Sequence, residues 1–286
     1  MNKFKNKIVL LLLFNLITTN VIVGQKTQID TLQNDKKLPI LTCILQKKIE
    51  GKYSYLNADL FNDMYLINQR NQIIKLNSKG DTLGYYAEGA RLGNPSNIDV
   101  TNPMKVLVYY DKYTLLLVLD KYLTDRNKYN LNEKSLINTK VIASGSDNQF
   151  WIFDDNILKK YDNQMNLWSA SDNMLTTLNK ALNPSTLIEY NQTVYLYDKE
   201  NGFFVFDKYT TFKNNLAFFN WNNISVQNNK LYGFSKDTMF VYDTKSFELK
   251  KYGLPATINA YKSIKLLNDY LYVLKENEIE IYKFEL

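Results

Sequence analysis

The chain has 286 residues, 45% of them hydrophobic and 22% charged, with 22 tyrosines and 15 phenylalanines. That balance excludes intrinsic disorder and low-complexity sequence and favours β-structure. It has no histidine, one cysteine (Cys43) and a formal charge of +6, which excludes Ser-His-Asp and Cys-His nucleophilic centres, His-ligated or Cys-cluster metal sites and an intramolecular disulfide framework.

The first residues read as an address. Lys3, Lys5 and Lys7 precede an apolar run from Ile8 to Ile17, and a small residue, Gly24, stands before Gln25. This order of basic, apolar and small predicts a secretory signal peptide over 1–24. An uncleaved N-terminal anchor is the alternative, although the run is short for a membrane span, which needs roughly 20 apolar residues. Removing residues 1–24 takes away three lysines and no acid, so the formal charge falls from +6 to +3. The remaining lysines alternate with acids instead of forming the concentrated patch a nucleic-acid partner needs. Residues 25–37 read as a linker, and no later stretch approaches the length of a span. The expected mature protein is periplasmic or secreted, with no membrane span.

From residue 38 the chain has a beat. An isolated apolar strand, Leu38–Ile49, comes first. Six hairpins follow, over 64–77, 105–120, 149–162, 193–207, 230–243 and 270–283, five of them ending on Asp or Asn. Their closing residues are spaced by 43, 42, 45, 36 and 40. A shorter apolar strand precedes each hairpin (53–59, 97–101, 140–144, 186–190, 224–227 and 263–267). A weaker one follows the first five (82–86, 129–133, 165–169, 211–219 and 247–252). Four strands per unit of about 40 residues predicts an all-β fold, a six-bladed β-propeller. The sixth unit ends at Leu286 without a fourth strand, so the N-terminal strand is expected to complete the last blade and close the ring. Closure removes the exposed sheet edges of an open array. The propeller domain is thus 38–286.

Between the fourth and fifth hairpin units, counting from the N-terminus, the aromatic residues Phe219 and Trp221 mark a blade junction. Between the third and fourth, Met174, Leu175, Leu178, Ala181 and Leu182 have helical spacing. They predict an amphipathic helix within 171–184, capped by Ser171 or Asp172 and stopped by Asn183-Pro184.

The segment Glu88-GARLGNPSNIDV-Thr101 resembles the blade junction of NHL propellers, in which a Gly-rich loop leads to Pro and an apolar inner strand. The units as a whole resemble periplasmic and extracellular propellers of the NHL and outer-membrane-assembly (BamB-like) kinds. The resemblance implies a scaffold, because such folds host many functions.

The sequence offers no GxGxxG, Walker A or GxSxG motif, and no catalytic residue, metal ligand set or cofactor is assigned. Asp154-Asp155-Asn156 is the best acidic cluster, readable as calcium ligands, an acid/base pair or a hairpin turn. The strand aromatics, such as Tyr195, Tyr197, Phe204 and Phe206, read as sheet packing or as a platform for sugars or peptides. Arginine is scarce, and arginine and aromatics are enriched at binding hot spots. The turns between second and third strands and the blade-to-blade connections share one face of a propeller. Arg70, Arg91, Tyr110, Lys112, Tyr113 and Trp221 are therefore the candidate partner-binding rim. The expected function is a non-catalytic interaction module. By resemblance, it would be an accessory subunit of an outer-membrane assembly or secretion machine, with an outer-membrane β-barrel or translocon as partner. The alternatives are a propeller that binds glycan or peptidoglycan fragments, and a propeller-type lyase or lactonase.

Overall fold

The structure, a computed structural model, describes residues 38–258 and 260–286. The expected signal peptide and linker lie outside the described residues. No helix among the described residues is long and apolar enough to cross a membrane.

Six four-stranded antiparallel sheets form the blades of a ring. An isolated strand, β1 (Thr42–Glu50), precedes them. The first blade holds β2 (Tyr53–Ala58), β3 (Met64–Asn68), β4 (Ile73–Leu76) and β5 (Thr82–Tyr86). The second holds β6 (Asn97–Asp99), β7 (Val106–Tyr110), β8 (Leu115–Leu119) and β9 (Asp125–Asn130). The third holds β10 (Thr139–Ser144), β11 (Phe150–Asp154), β12 (Ile157–Tyr161) and β13 (Leu167–Ala170). The fourth holds β14 (Thr186–Tyr190), β15 (Thr193–Asp198), β16 (Gly202–Asp207) and β17 (Phe212–Leu216). The fifth holds β18 (Asn222–Gln227), β19 (Lys230–Ser235), β20 (Thr238–Asp243) and β21 (Leu249–Gly253). The sixth has β22 (Ser263–Leu267), β23 (Tyr270–Leu274) and β24 (Glu278–Glu285), and its fourth strand is β1. β1 runs antiparallel to β24 from Thr42↔Glu285 to Glu50↔Glu278, as the sequence predicts.

Strand periodicity explains where the core lies. Successive side chains point to opposite faces of a sheet, so each blade sends alternate residues to its two neighbours. In β15, Val194 and Leu196 join the cluster shared with the third blade, while Tyr195 and Tyr197 join the one shared with the fifth. In β16, Phe204 and Phe206 point one way and Phe203 and Val205 the other. These aromatics are packing, not platform. One cluster fills each of the six gaps between blades. The gap between last and first blade is closed by Leu56, Met64 and Leu66 against Tyr272, Leu274 and Ile281.

The Asp or Asn that ends most hairpins has a structural task. The Oδ1 of Asn77, Asp120, Asp162 and Asp207 each accepts the backbone N–H groups two and four residues on, at 2.8 to 3.0 Å. This Asx turn carries the chain from third to fourth strand. Asp243 makes a close variant. Lys283 stands at the equivalent place in the last blade, where no turn is made because β1 supplies the fourth strand.

Two local expectations are corrected. The fourth strand of the second blade is β9, Asp125–Asn130, and Leu131–Lys134 is a 3-10 turn instead of strand. β9 is almost wholly polar and exposed, so no apolar alternation announces it, while the buried Leu131 and Leu136 belong to the turn after it. The expected helix is confined to Met174–Leu178. Its cap is Asn173, whose side chain accepts from Leu175 N at 2.9 Å, and it stops at Asn179 with φ 52°. The helix start and the stretch beyond its end are both tied to the β11–β12 turn: Met174 N donates to Asn156 O and Leu182 N to Asn156 Oδ1. Met174 and Leu182 are buried between the third and fourth blades, so the segment packs on its own propeller.

Candidate interaction surfaces

Four of the six rim candidates stand exposed on one face, above the first two blades. Arg70 sits in the β3–β4 turn, which Asn68 shapes by accepting the N–H groups of Arg70 (2.9 Å) and Gln72 (3.1 Å). Arg91 lies in a helical turn, Gly89–Leu92, of the connection to the second blade. That connection rests directly on the Arg70 turn: a Cβ on Gly89 would lie 1.7 Å from Asn71 O, so only glycine permits the approach. Lys112 and Tyr113 occupy the 3-10 turn Asp111–Tyr113 between β7 and β8. Arg91 is partnered by Glu88 at 2.8 Å; Arg70 has no side-chain partner among the described residues.

The other two candidates are not surface residues. Tyr110 is 1% exposed, the last residue of a strand buried on both faces, and burial pushes its hydroxyl up to about 12. Trp221 is 4% exposed. Its indole stacks on Phe218 (4.9 Å, 3°) and Phe240 (5.0 Å, 22°), and its backbone N–H donates to Tyr197 OH at 2.7 Å. Trp221 also belongs to the junction of the fourth and fifth blades, away from the other candidates. A junction offers a large ring both its neighbours' faces, and burying it there yields more than exposing it.

The opposite face of the first two blades carries a surface that sequence reasoning missed. Phe61, Leu83, Met104 and Tyr122, with Asp63, Lys75 and Lys121, line a cleft of about 310 Å³. Phe61, Met104 and Tyr122 are 58%, 59% and 57% exposed, and Leu60 beside them is exposed too. They come from three different loops and β5. Gly84 of β5 lets the Tyr122 turn close in, since a Cβ there would meet Tyr122 O at 2.6 Å. Beneath the cleft the polar groups are already satisfied. Lys75 Nζ pairs with Asp59 (3.2 Å) and Asp63 (3.1 Å), and Tyr65 OH donates to Asp59 Oδ2 (2.9 Å). The exposed part of the cleft is therefore mostly apolar, with the Lys121 ammonium at its edge. Exposed contiguous apolar surface of this kind marks a binding site more often than scattered single residues do. Its sequence signal was weak, because the contributing residues lie singly in polar turns.

The acidic cluster resolves into a turn. Asp155 (φ 50°) and Asn156 (φ 61°) make the two-residue β11–β12 hairpin turn. Asp154 is buried, ion-paired with Lys159 at 2.7 Å, and accepts from Asn138 N and Thr139 Oγ1. Among the described residues no group of three or more acidic, histidine or cysteine side chains is placed to hold a metal ion. Trp168 and Tyr209 form an exposed stacked pair (6.0 Å, 24°), with Lys160 over one ring and Lys208 over the other, so part of their π-surface is already occupied.

No protein-family model matches the chain, and no curated protein matches it in sequence. Solved structures do resemble it. Virginiamycin B lyase from Staphylococcus aureus matches with TM-score 0.61 and 11% identity over 85% of this chain and 99% of that one. A catalytically inactive histidine-to-alanine variant of that enzyme, with quinupristin, matches to the same degree. A streptogramin B lyase matches with TM-score 0.57 and 16% identity over 80% of this chain and 78% of that one. BamB from Moraxella catarrhalis is also a structural neighbour, at TM-score 0.46 and 11% identity over 78% of this chain and 67% of that one, too loose a likeness to bear on role. At these identities the likeness establishes the propeller fold.

Proposed function

We propose that the protein is a non-catalytic interaction module of the bacterial envelope, exported by its N-terminal segment, that docks a partner protein through the first two blades. The observation that carries this reading is the exposed apolar cluster around Phe61, Leu83, Met104 and Tyr122. Its buried polar floor is already paired, and the side chains it exposes suit an apolar side chain of a partner. Arg70, Lys112 and Tyr113 provide a second, polar contact surface on the other face. The partner class is an outer-membrane β-barrel or a translocon, with this protein as an accessory subunit.

The likeness to virginiamycin B lyases makes a lyase the competing reading. The staphylococcal enzyme loses catalysis when a histidine is replaced, and this chain has no histidine, which favours the non-catalytic reading.

The test is crosslinking of the tagged protein in intact envelopes, followed by purification and mass spectrometry, with wild type, Phe61→Asp/Tyr122→Asp and Arg70→Glu/Lys112→Glu compared. A stoichiometric envelope partner that is lost with the first double variant supports the reading. A partner retained by it and lost with the second moves the contact to the other face. Recovery of background alone from wild type refutes it.

A further inference from the structure

Between the third and fourth blades, on the face that carries the Arg70 and Lys112 turns, lies a second cleft, of about 400 Å³. It opens among the start of β10, the β11–β12 turn and the connection that leads into β14. Asn138, Lys140, Asp155, Asn156 and Asn183 give it a polar wall. Exposed Ala181 adds a methyl group, and the buried Phe153 and Leu182 close the floor. The volume lies within the range of small-molecule sites, roughly 300–1,000 Å³.

The main chain beneath these polar groups is fixed. Buried Asp154 accepts Asn138 N at 2.9 Å, and buried Asp198 accepts Asn183 N at 2.7 Å. Asn156 Oδ1 accepts Leu182 N at 2.9 Å, and Asp155 and Asn156 hold the left-handed conformations of their hairpin turn. Lys140 is the extra residue of a β-bulge. Thr139 pairs with Asp154 and Val141 with Phe153; these two flanking residues are buried, and Lys140 between them is exposed. A bulge re-aims a side chain, and this one puts Lys140 on the wall of the cleft. The functional groups themselves are free. Asn138 and Asn183 are held through their backbone N–H groups, not their side chains. Among the described residues their carboxamides, Asn156 Nδ2, the Asp155 carboxylate and Lys140 Nζ have no hydrogen-bond or ion-pair partner. Asparagines in other turns spend the side chain on the backbone, as Asn68 and Asn77 do.

We infer that this cleft binds a neutral N-acetylated sugar. A carboxamide offers donors and an acceptor side by side. That is what a row of sugar hydroxyls, each both donor and acceptor, and the amide of an acetamido group require. The Lys140 ammonium donates to a hydroxyl oxygen and the Asp155 carboxylate accepts from a hydroxyl, as charge-assisted bonds. Their charges are opposite, so the wall as a whole favours a neutral ligand over a bare anion or cation. Ala181 faces the acetyl methyl. Because the main chain is already tied down, less is lost in ordering the site when the ligand arrives. This site is separate from the apolar cleft of the first two blades and stands whether or not that cleft binds a partner.

The experiment is saturation-transfer difference NMR on the whole protein, with N-acetylglucosamine and N,N′-diacetylchitobiose as probes and glucose as the control that lacks the acetamido group. A saturable signal, strongest at the acetyl methyl, is expected from the N-acetyl sugars, with glucose binding at least fivefold more weakly. Asn138→Ala/Asn183→Ala trims exposed side chains and keeps both backbone N–H groups, so its melting temperature should match wild type while its affinity for the dimer falls at least tenfold. Trace acetylation read by mass spectrometry locates the ligand without a variant: the dimer should slow modification of Lys140 and leave exposed Lys52 unchanged. No saturable signal from either N-acetyl sugar, glucose binding as tightly as they do, a folded double variant that binds like wild type, or Lys140 modified at the same rate with and without the dimer each overturns the inference.

Discussion

Ring closure rests on a strand 230 residues away in sequence from its partner, and one carboxylate lies at the centre of that seam. Lys48 of β1 stands opposite Glu280 of β24. The Glu280 carboxylate receives Lys48 Nζ at 2.5 Å, Lys275 Nζ at 2.5 Å and Tyr282 OH at 2.7 Å, and its side chain is 3% exposed. Burial by itself would raise its pKa; the hydrogen bonds from Lys275, Lys48 and Tyr282 outweigh burial and hold it at about 2, against 4.5 ordinarily. The folded-state value is depressed, so the contribution is full above pH 4.5 and is lost as pH falls from there to about 2. A carboxyl so placed contributes about 3 kcal/mol at neutral pH. Glu280→Gln keeps the shape and removes the charge. In urea unfolding at pH 7 the variant should be less stable by about 3 kcal/mol, equivalent to roughly 9 °C in melting temperature for a domain of this size. The gap between the two proteins should narrow below pH 4.5 and nearly vanish near pH 2. A gap that is the same at every pH, or smaller than about 1 kcal/mol at pH 7, would refute the assignment of this stabilisation to the Glu280 charge cluster.

Three further outcomes are expected. Trp221→Ala empties the stack between Phe218 and Phe240 and should cost about 3–5 kcal/mol in denaturant unfolding, without changing partner recovery in the crosslinking experiment. Gly89→Ala places a methyl against Asn71 O and should destabilise by more than 2 kcal/mol, on the order of other overpacked sites, and slow trypsin cleavage at Arg91 should become fast. Burial raises the Cys43 thiol to about 11, so its alkylation by iodoacetamide at pH 8 should run about a hundred times slower than that of a peptide thiol; unfolding in urea should abolish the difference.

The blade architecture was legible because a propeller repeats its physics. Each unit must alternate apolar residues on inner strands and must turn tightly between them, and the Asp or Asn that fixes the third turn is visible in the sequence before its role is. Strand β9 escaped, since an outer strand such as Asp125–Asn130 faces water on both sides and carries no alternation. The helix was overextended because Ala181 and Leu182 keep the helical spacing after Asn179 has turned the chain left-handed.

The rim was legible only as a set of loop residues. Arg70, Arg91, Lys112 and Tyr113 are where topology puts second-to-third turns and connections, but Tyr110 and Trp221 show that adjacency to a turn does not expose a side chain. The composition and period of this chain determined export as an expectation, the six blades and the strand that closes them, because those follow from local pattern and from counting strands. Tertiary structure alone decided which side chains meet. The cleft of Phe61, Leu83, Met104 and Tyr122 gathers residues from separate loops and one strand, and no local stretch of sequence encodes that they meet.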